Sequence, residues 1–195
     1  MRSSLRGSQP ALEHPGAAQR VCVYVQRIHT RGGKEERRNG DGSAMLSMQP
    51  IGYVRSPYRD TQEIPKGLGA KHEAEGVLEI GPEFEPGLTD IEGFSHLFVI
   101  WAFDRSEGFN LVATPPSDNR PHGVFATRSP QRPNPIGLTV VELLCREGPV
   151  LRVRGIDMLD GTPILDIKPY LSSVPPERLR RGWLAEAEVR TGVKP

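Results

Sequence analysis

The chain has 195 residues, room for one core of ordinary size plus an appendage, and its 36% hydrophobic and 25% charged residues with 21 Gly and 19 Pro describe a globular, turn-rich protein without long helices. Its net charge of +1 hides an uneven split: residues 1–47 carry eight Lys/Arg against four Asp/Glu, leaving seventeen against twenty for residues 48–195. A broadly basic polymer-binding domain is thereby excluded for the later part, since neutralising phosphates needs a surplus of Lys and Arg.

Residues 1–47 read as a poorly structured leader, because Arg31–Ser43 offers almost nothing apolar to bury. Val21–Val25 reads either as a strand or as part of an extension from an upstream start codon, with Met45 or Met48 opening the working protein. Arg and Ser enrichment raises the idea of a transit peptide, yet Pro10 and Pro15 interrupt the amphipathic helix one would need. The domain proper is read as residues 48–195. Its candidate strands are Ile51–Arg55, Gly76–Ile80, His96–Phe103, Gly123–Thr127, Leu138–Cys145, Val150–Gly155 and Ile164–Ile167, separated by Gly, Pro, Asp and Asn. Leu97–Ala102 is apolar throughout, as a strand covered on both faces should be, whereas Leu151 and Val153 alternate with Arg152 and Arg154. Short helices are expected at Leu88–Gly93, capped by Thr89, and near Pro176–Glu188. Strands following one another without helical crossovers predict a mainly β fold, a small closed or nearly closed β-barrel with few short helices.

Cys22 and Cys145 are too few and too far apart for a zinc site or a disulfide framework, which points to a reducing, cytoplasmic compartment. No apolar run is long enough to span a bilayer, so no membrane partner is expected. His72, His96 and His122 have no ligand-like spacing and read as structural residues beside strands, with no metal. Trp183 and Tyr170 read as packing residues, with base stacking as the alternative.

The segment Gly123–Gly137, GVFATRSPQRPNPIG, is the most informative. Pro130, Pro133 and Pro135 each fix φ and push the preceding residue toward extended geometry, so Arg132 and Asn134 sit in a stiff loop suited to holding a ligand. Arg128 has the planar fork that grips a carboxylate or a phosphate. Arg132 is a second phosphate ligand in this reading, Asn134 carries the donor and acceptor that read an adenine edge, and Ser129 adds a hydroxyl.

This segment, together with Ile51–Tyr58 (IGYVRSPY), Gly93–Leu97 (GFSHL) and Asp157–Leu171 (DMLDGTPILDIKPYL), resembles the TsaA-like/TrmO family over most of residues 50–184. The resemblance implies a β-barrel methyltransferase that binds S-adenosylmethionine near the interface of a homodimer and methylates N6 of N6-threonylcarbamoyladenosine beside the tRNA anticodon. It places cofactor contacts on Arg128 and Leu138, on the strand formed by Ile164, Leu165, Asp166 and Ile167, and on Asp104 and Arg105 where the family has another polar pair. Lys66 lies in IPKGLGA (Ile64–Ala70), where the TrmO branch carries an Arg-Gln-Pro motif, and is assigned to the substrate. In keeping with a non-Rossmann enzyme, no strand is followed by G-x-G-x-x-G and a helix.

An adenosine N6 amine is a weak nucleophile, so methylation is helped by a carboxylate that takes its proton. Asp166, set among Ile164, Leu165 and Ile167, is the candidate base, with a buried structural carboxylate as the alternative. Asp160–Gly161 reads equally as a turn and as a cofactor contact. Two other functions stay open on sequence alone: a non-catalytic regulatory module that binds an adenosine ligand or RNA, and a metal-dependent hydrolase.

Overall fold

The structure is a computed structural model and describes residues 21–25, 44–68, 70–171 and 173–192. In chain order its strands are β1 (Val21–Val25), β2 (Ala44–Met48), β3 (Gly52–Arg55), β4 (Glu75–Ile80), β5 (His96–Ala102), β6 (Val112–Ala113), β7 (His122–Gly123), β8 (Ile136–Glu147), β9 (Val150–Arg154) and β10 (Pro163–Pro169), followed by helix α1 (Trp183–Thr191). β1 and β2 pair antiparallel as a separate two-stranded ribbon. Of the two readings open for Val21–Val25 of the leader, the strand is the form it takes, and alternate Val21, Val23 and Val25 supply the β-branched residues a strand favours. The rest of that leader lies outside the described residues.

Six strands close an antiparallel barrel in the order β10-β3-β4-β9-β8-β5. Period-two alternation sends Val54, Leu78, Leu97, Val99, Val141, Leu151 and Val153 inward, all wholly buried, and a barrel this narrow is filled by such side chains. Burying each of them contributes about 1.5–3 kcal/mol. Ile156, Met158 and Ile164 complete the core from the chain that follows β9.

Three expected elements take other forms. Gly123–Thr127 is not a strand: β7 ends at Gly123 and Val124–Ala126 forms a 3-10 turn, because Thr127 donates from its amide and its hydroxyl back to Val124 O. The helix expected at Leu88–Gly93 is replaced by 3-10 turns over Pro82–Leu88 and Ile91–Gly93, and Thr89 Oγ1 donates back to Pro86 O instead of capping forward. Near the end, a 3-10 turn at Pro176–Arg178 precedes α1, which starts only after Gly182 at φ +55°.

One irregularity of the barrel positions the candidate site. β8 is twelve residues long, but its pairing with β9 begins at Glu142, so residues 136–141 pair only with β5 among the described residues. After β9 the chain turns at Gly155, whose φ of +98° is a left-handed value that suits glycine. β8 and the departing chain therefore part company, leaving a notch in the barrel wall.

Candidate functional site

The notch has a volume of about 230 Å³. Phe98 of β5 with Leu138 and Val140 of β8 form its apolar wall, while His72, Asp157 and Arg128 bring polar groups to it. Asp157 is held from the core: Trp101 Nε1 donates to Thr139 Oγ1 at 3.0 Å, and Thr139 Oγ1 donates to Asp157 Oδ1 at 2.6 Å. This relay depends on Gly137, since a Cβ there would lie 2.2 Å from the Trp101 ring. Arg128 is exposed and has no ion pair among the described residues, so its guanidinium is available to an anion.

The loop that presents Arg128 is braced as the three prolines suggest. Arg132 Nη2 donates to Val124 O and Thr127 O, Ser106 Oγ donates to Pro130 O, and the Phe103 amide donates to Pro135 O. Arg132 thus spends part of its guanidinium on the loop itself. The Ser129 amide donates to Thr127 Oγ1, and Asn134 is exposed next to Pro135. Trp183 of α1 donates from Nε1 to Ala126 O and stacks on His122, so Trp183 packs, as read from sequence.

Of the residues singled out from sequence, the structure brings Arg128 and Leu138 together in the notch. The strand residues divide by face. Ile164 is wholly buried and Ile167 packs against the core, leaving their side chains to the barrel, whereas Asp166 projects outward with its side chain 45% exposed. Two inward residues three positions apart require the register shift recorded between Ile164 and Asp166. Burial of Asp166 in its apolar sequence context is therefore corrected. Its carboxylate pairs with Lys168 Nζ at 2.6 Å and accepts the Ile167 amide. Across the sheet, Asp166 faces Ile100, which faces Leu138, so Asp166 and Leu138 flank one outer row about 10 Å apart at ordinary strand spacing.

Asp104 and Arg105 follow β5, where partial burial pushes the Asp104 carboxyl up and the nearby Arg105 opposes this. Arg105 Nη2 donates to Asp160 O at 2.6 Å. Asp160 also accepts the Ser56 amide and pairs with Arg59, so the Asp160–Gly161 turn fastens the IGYVRSPY block to the barrel. Lys66 is exposed in the loop ahead of β4. Sequence reasoning missed Phe98, His72 and Asp157 as notch residues; only Asp157, inside the DMLDGTPILDIKPYL block, carried a signal that marked its neighbourhood. Among the described residues no group of three His, Cys, Asp or Glu converges as a metal site would require.

Residues 53–175 match the model of the tRNA-methyltransferase O N-terminal domain. The chain is 47% identical over 141 residues to the probable S-adenosyl-L-methionine-binding protein of Pyrococcus abyssi, covering 72% of this chain and 77% of that one. It is 38% identical over 136 residues to the tRNA (adenine(37)-N6)-methyltransferase of Escherichia coli K12, covering 65% of this chain and 58% of the relative. A crystal structure of TrmO from Pseudomonas aeruginosa superposes with a TM-score of 0.59 at 38% identity, covering 71% of this chain and 62% of that one. The chain thus spans about three-fifths of the length of these two bacterial relatives.

Proposed function

Because this chain belongs to the TrmO (TsaA-like) family, we propose that it transfers a methyl group from S-adenosylmethionine to N6 of a tRNA adenosine, with N6-threonylcarbamoyladenosine beside the anticodon as the acceptor. The observation that carries the reading is the notch. An arginine without an ion pair among the described residues and an anchored aspartate meet an apolar wall in one place, the mix of a few convergent polar groups and apolar lining that small-molecule sites have.

When bound, the cofactor supplies an electrophilic methyl on a sulfonium. Arg128 would hold a carboxylate bidentately, and Asp157, with Oδ1 already fixed by Thr139, would accept an N–H through its other oxygen. Phe98, Leu138 and Val140 exclude water along one side. The acceptor amine approaches over the outer face of β5, beside which Asp166 of β10 stands as the base that takes its proton. Asp104 and Arg105, Ser129, Arg132, Asn134 and Lys66 lie on loops that would meet the RNA or the cofactor's outer end.

The notch is smaller than the roughly 300–1,000 Å³ of a complete small-molecule site, and Leu138 and Val140 beside it are 51% and 40% exposed. A second copy covering this face would complete the site, so the active species in this reading is a homodimer.

The test is incubation with methyl-labelled S-adenosylmethionine and tRNA from cells lacking the modification, followed by nucleoside mass spectrometry. One methyl added to N6-threonylcarbamoyladenosine is the expected result. Label on another adenosine would revise the acceptor, and binding without any transfer would leave a regulatory module.

A further inference from the structure

The β6–β7 ladder, which leads into the proline-braced loop, turns large apolar side chains to solvent. Phe125 is 77% exposed and Phe109 58%, the highest values among the six phenylalanines of the chain, and Leu111 and Val112 are 61% and 58% exposed. The backbone brings these stretches side by side. Val112 pairs with Gly123, the Val124 amide donates to Leu111 O at 2.9 Å, and the Asn110 amide donates to Gln131 O at 3.2 Å. Phe109 thus precedes the ladder where it meets the loop, and Phe125 leaves it toward Arg128, three residues and at most about 11 Å of chain away. The backbone beside Phe125 is firmly held, since the Thr127 amide, the Thr127 hydroxyl and Arg132 Nη2 all donate to Val124 O. Neither ring stacks on another aromatic side chain among the described residues.

We propose that Phe125 and Phe109 form a stacking platform for unpaired bases of an RNA loop, those flanking the acceptor adenosine. The inference rests on the reading of the chain as a tRNA methyltransferase. Charge selects this occupant. Residues 105–132 hold four arginines against two carboxylates, whereas the rest of residues 48–195 holds thirteen Lys/Arg against eighteen Asp/Glu. Among the described residues Arg128 has no ion pair and Arg132 bonds only backbone carbonyls, so neither charge is cancelled by a carboxylate. Exposed rings beside uncompensated cations are the means by which proteins hold single-stranded nucleic acid, with bases on the rings and phosphates on the cations. A second copy set symmetrically on this patch would instead bring like charges together. An acceptor presented beside Arg128 leaves its neighbouring nucleotides within reach of Phe125, and a platform already held in place costs little ordering when they bind.

The test uses the full chain and a synthetic anticodon stem-loop RNA with the fluorescent base 2-aminopurine next to the adenosine that follows the anticodon. Phe125→Ala and Phe109→Ala should each raise the Kd for this RNA about tenfold, the order found when a base loses its aromatic partner. Phe125→Trp, which keeps a ring, should stay within about threefold of the parent. Quenching of 2-aminopurine on binding should survive in Phe125→Trp and fall in Phe125→Leu, which keeps apolar area without a ring. The salt dependence of binding should not change in these variants, because counterion release belongs to the charged residues. Their Kd for S-adenosylhomocysteine and their mass by light scattering should also match the parent. Unchanged RNA affinity in either alanine variant, or full quenching with leucine at 125, overturns the platform. A fall in mass with the alanine variants also overturns it, by assigning the patch to a second copy. Parent protein that binds the RNA while the variants bind it equally well sinks this inference alone. Parent protein that binds no stem-loop RNA sinks the tRNA reading along with it.

Discussion

At the scale of single residues, the relay from Trp101 through Thr139 to Asp157 ties the site to the core, and Gly137 is where it is most exposed to damage. A methyl group at Gly137 would sit 2.2 to 2.5 Å from three atoms of the indole, which has no room to retreat at 7% exposure. Gly137→Ala is expected to cost about 1–3 kcal/mol in denaturant unfolding, the usual range for overpacking, and to weaken cofactor binding because the bond that fixes Asp157 is displaced. Asp166 should behave differently. It stands outside the notch and on the solvent side of β10, so Asp166→Asn should lower turnover about 100-fold or more, the range for loss of a general base, while leaving Kd for S-adenosylhomocysteine unchanged. A loss of binding with turnover per bound complex intact would reassign Asp166 to positioning.

At the scale of elements, α1 is fastened to the β6–β7 region by one buried carboxylate. Asp118, with a side chain only 4% exposed, accepts from Arg120 and from Arg190 Nη2 at 2.7 Å, and His122 Nε2 lies 3.3 Å away. The Arg120 guanidinium, the largest influence, with the Arg120 amide and His122 adding to it, holds the Asp118 carboxyl far below the ordinary carboxylate range despite its burial. A carboxyl depressed on folding stabilises fully at pH values above its unfolded pKa of about 4, and that contribution is lost as the pH falls further. Acid should therefore release α1 before the barrel unfolds. Trp183 reports the event, because its stacking on His122 at 4.3 Å and its bond to Ala126 O would both break. An acid-induced change in Trp183 emission that is absent in Asp118→Asn at all pH values, with that variant melting a few degrees lower, is the expected outcome. Identical pH profiles for the two proteins would show that the carboxylate does not dock the helix.

At the scale of the whole molecule, β8 outruns β9 and so leaves a stretch of sheet edge unpaired among the described residues, and the exposed apolar residues Leu138, Val140 and Leu144 lie along that same strand. Light scattering is expected to give twice the chain mass, and Leu144→Glu, which sits outside the notch, should shift the protein toward the monomer and weaken cofactor binding together. A monomer that binds as tightly as the parent would separate the site from assembly.

Much of this was legible in the residues themselves. Short apolar runs with turn-rich spacing, and alternation in Val150–Gly155, identify most of the barrel strands, and Pro130, Pro133 and Pro135 identify the stiff loop that carries Arg128, because those properties depend on chemistry within a few residues of each other. What the chain order did not contain is which side of β10 faces the core, that β8 extends past its β9 partner, and that His72, Phe98, Leu138 and Asp157 meet. Those facts come from a bulge and from strand closure, which join positions far apart in sequence. No local pattern of hydrophobicity encodes a contact between residues brought together only when the barrel shuts.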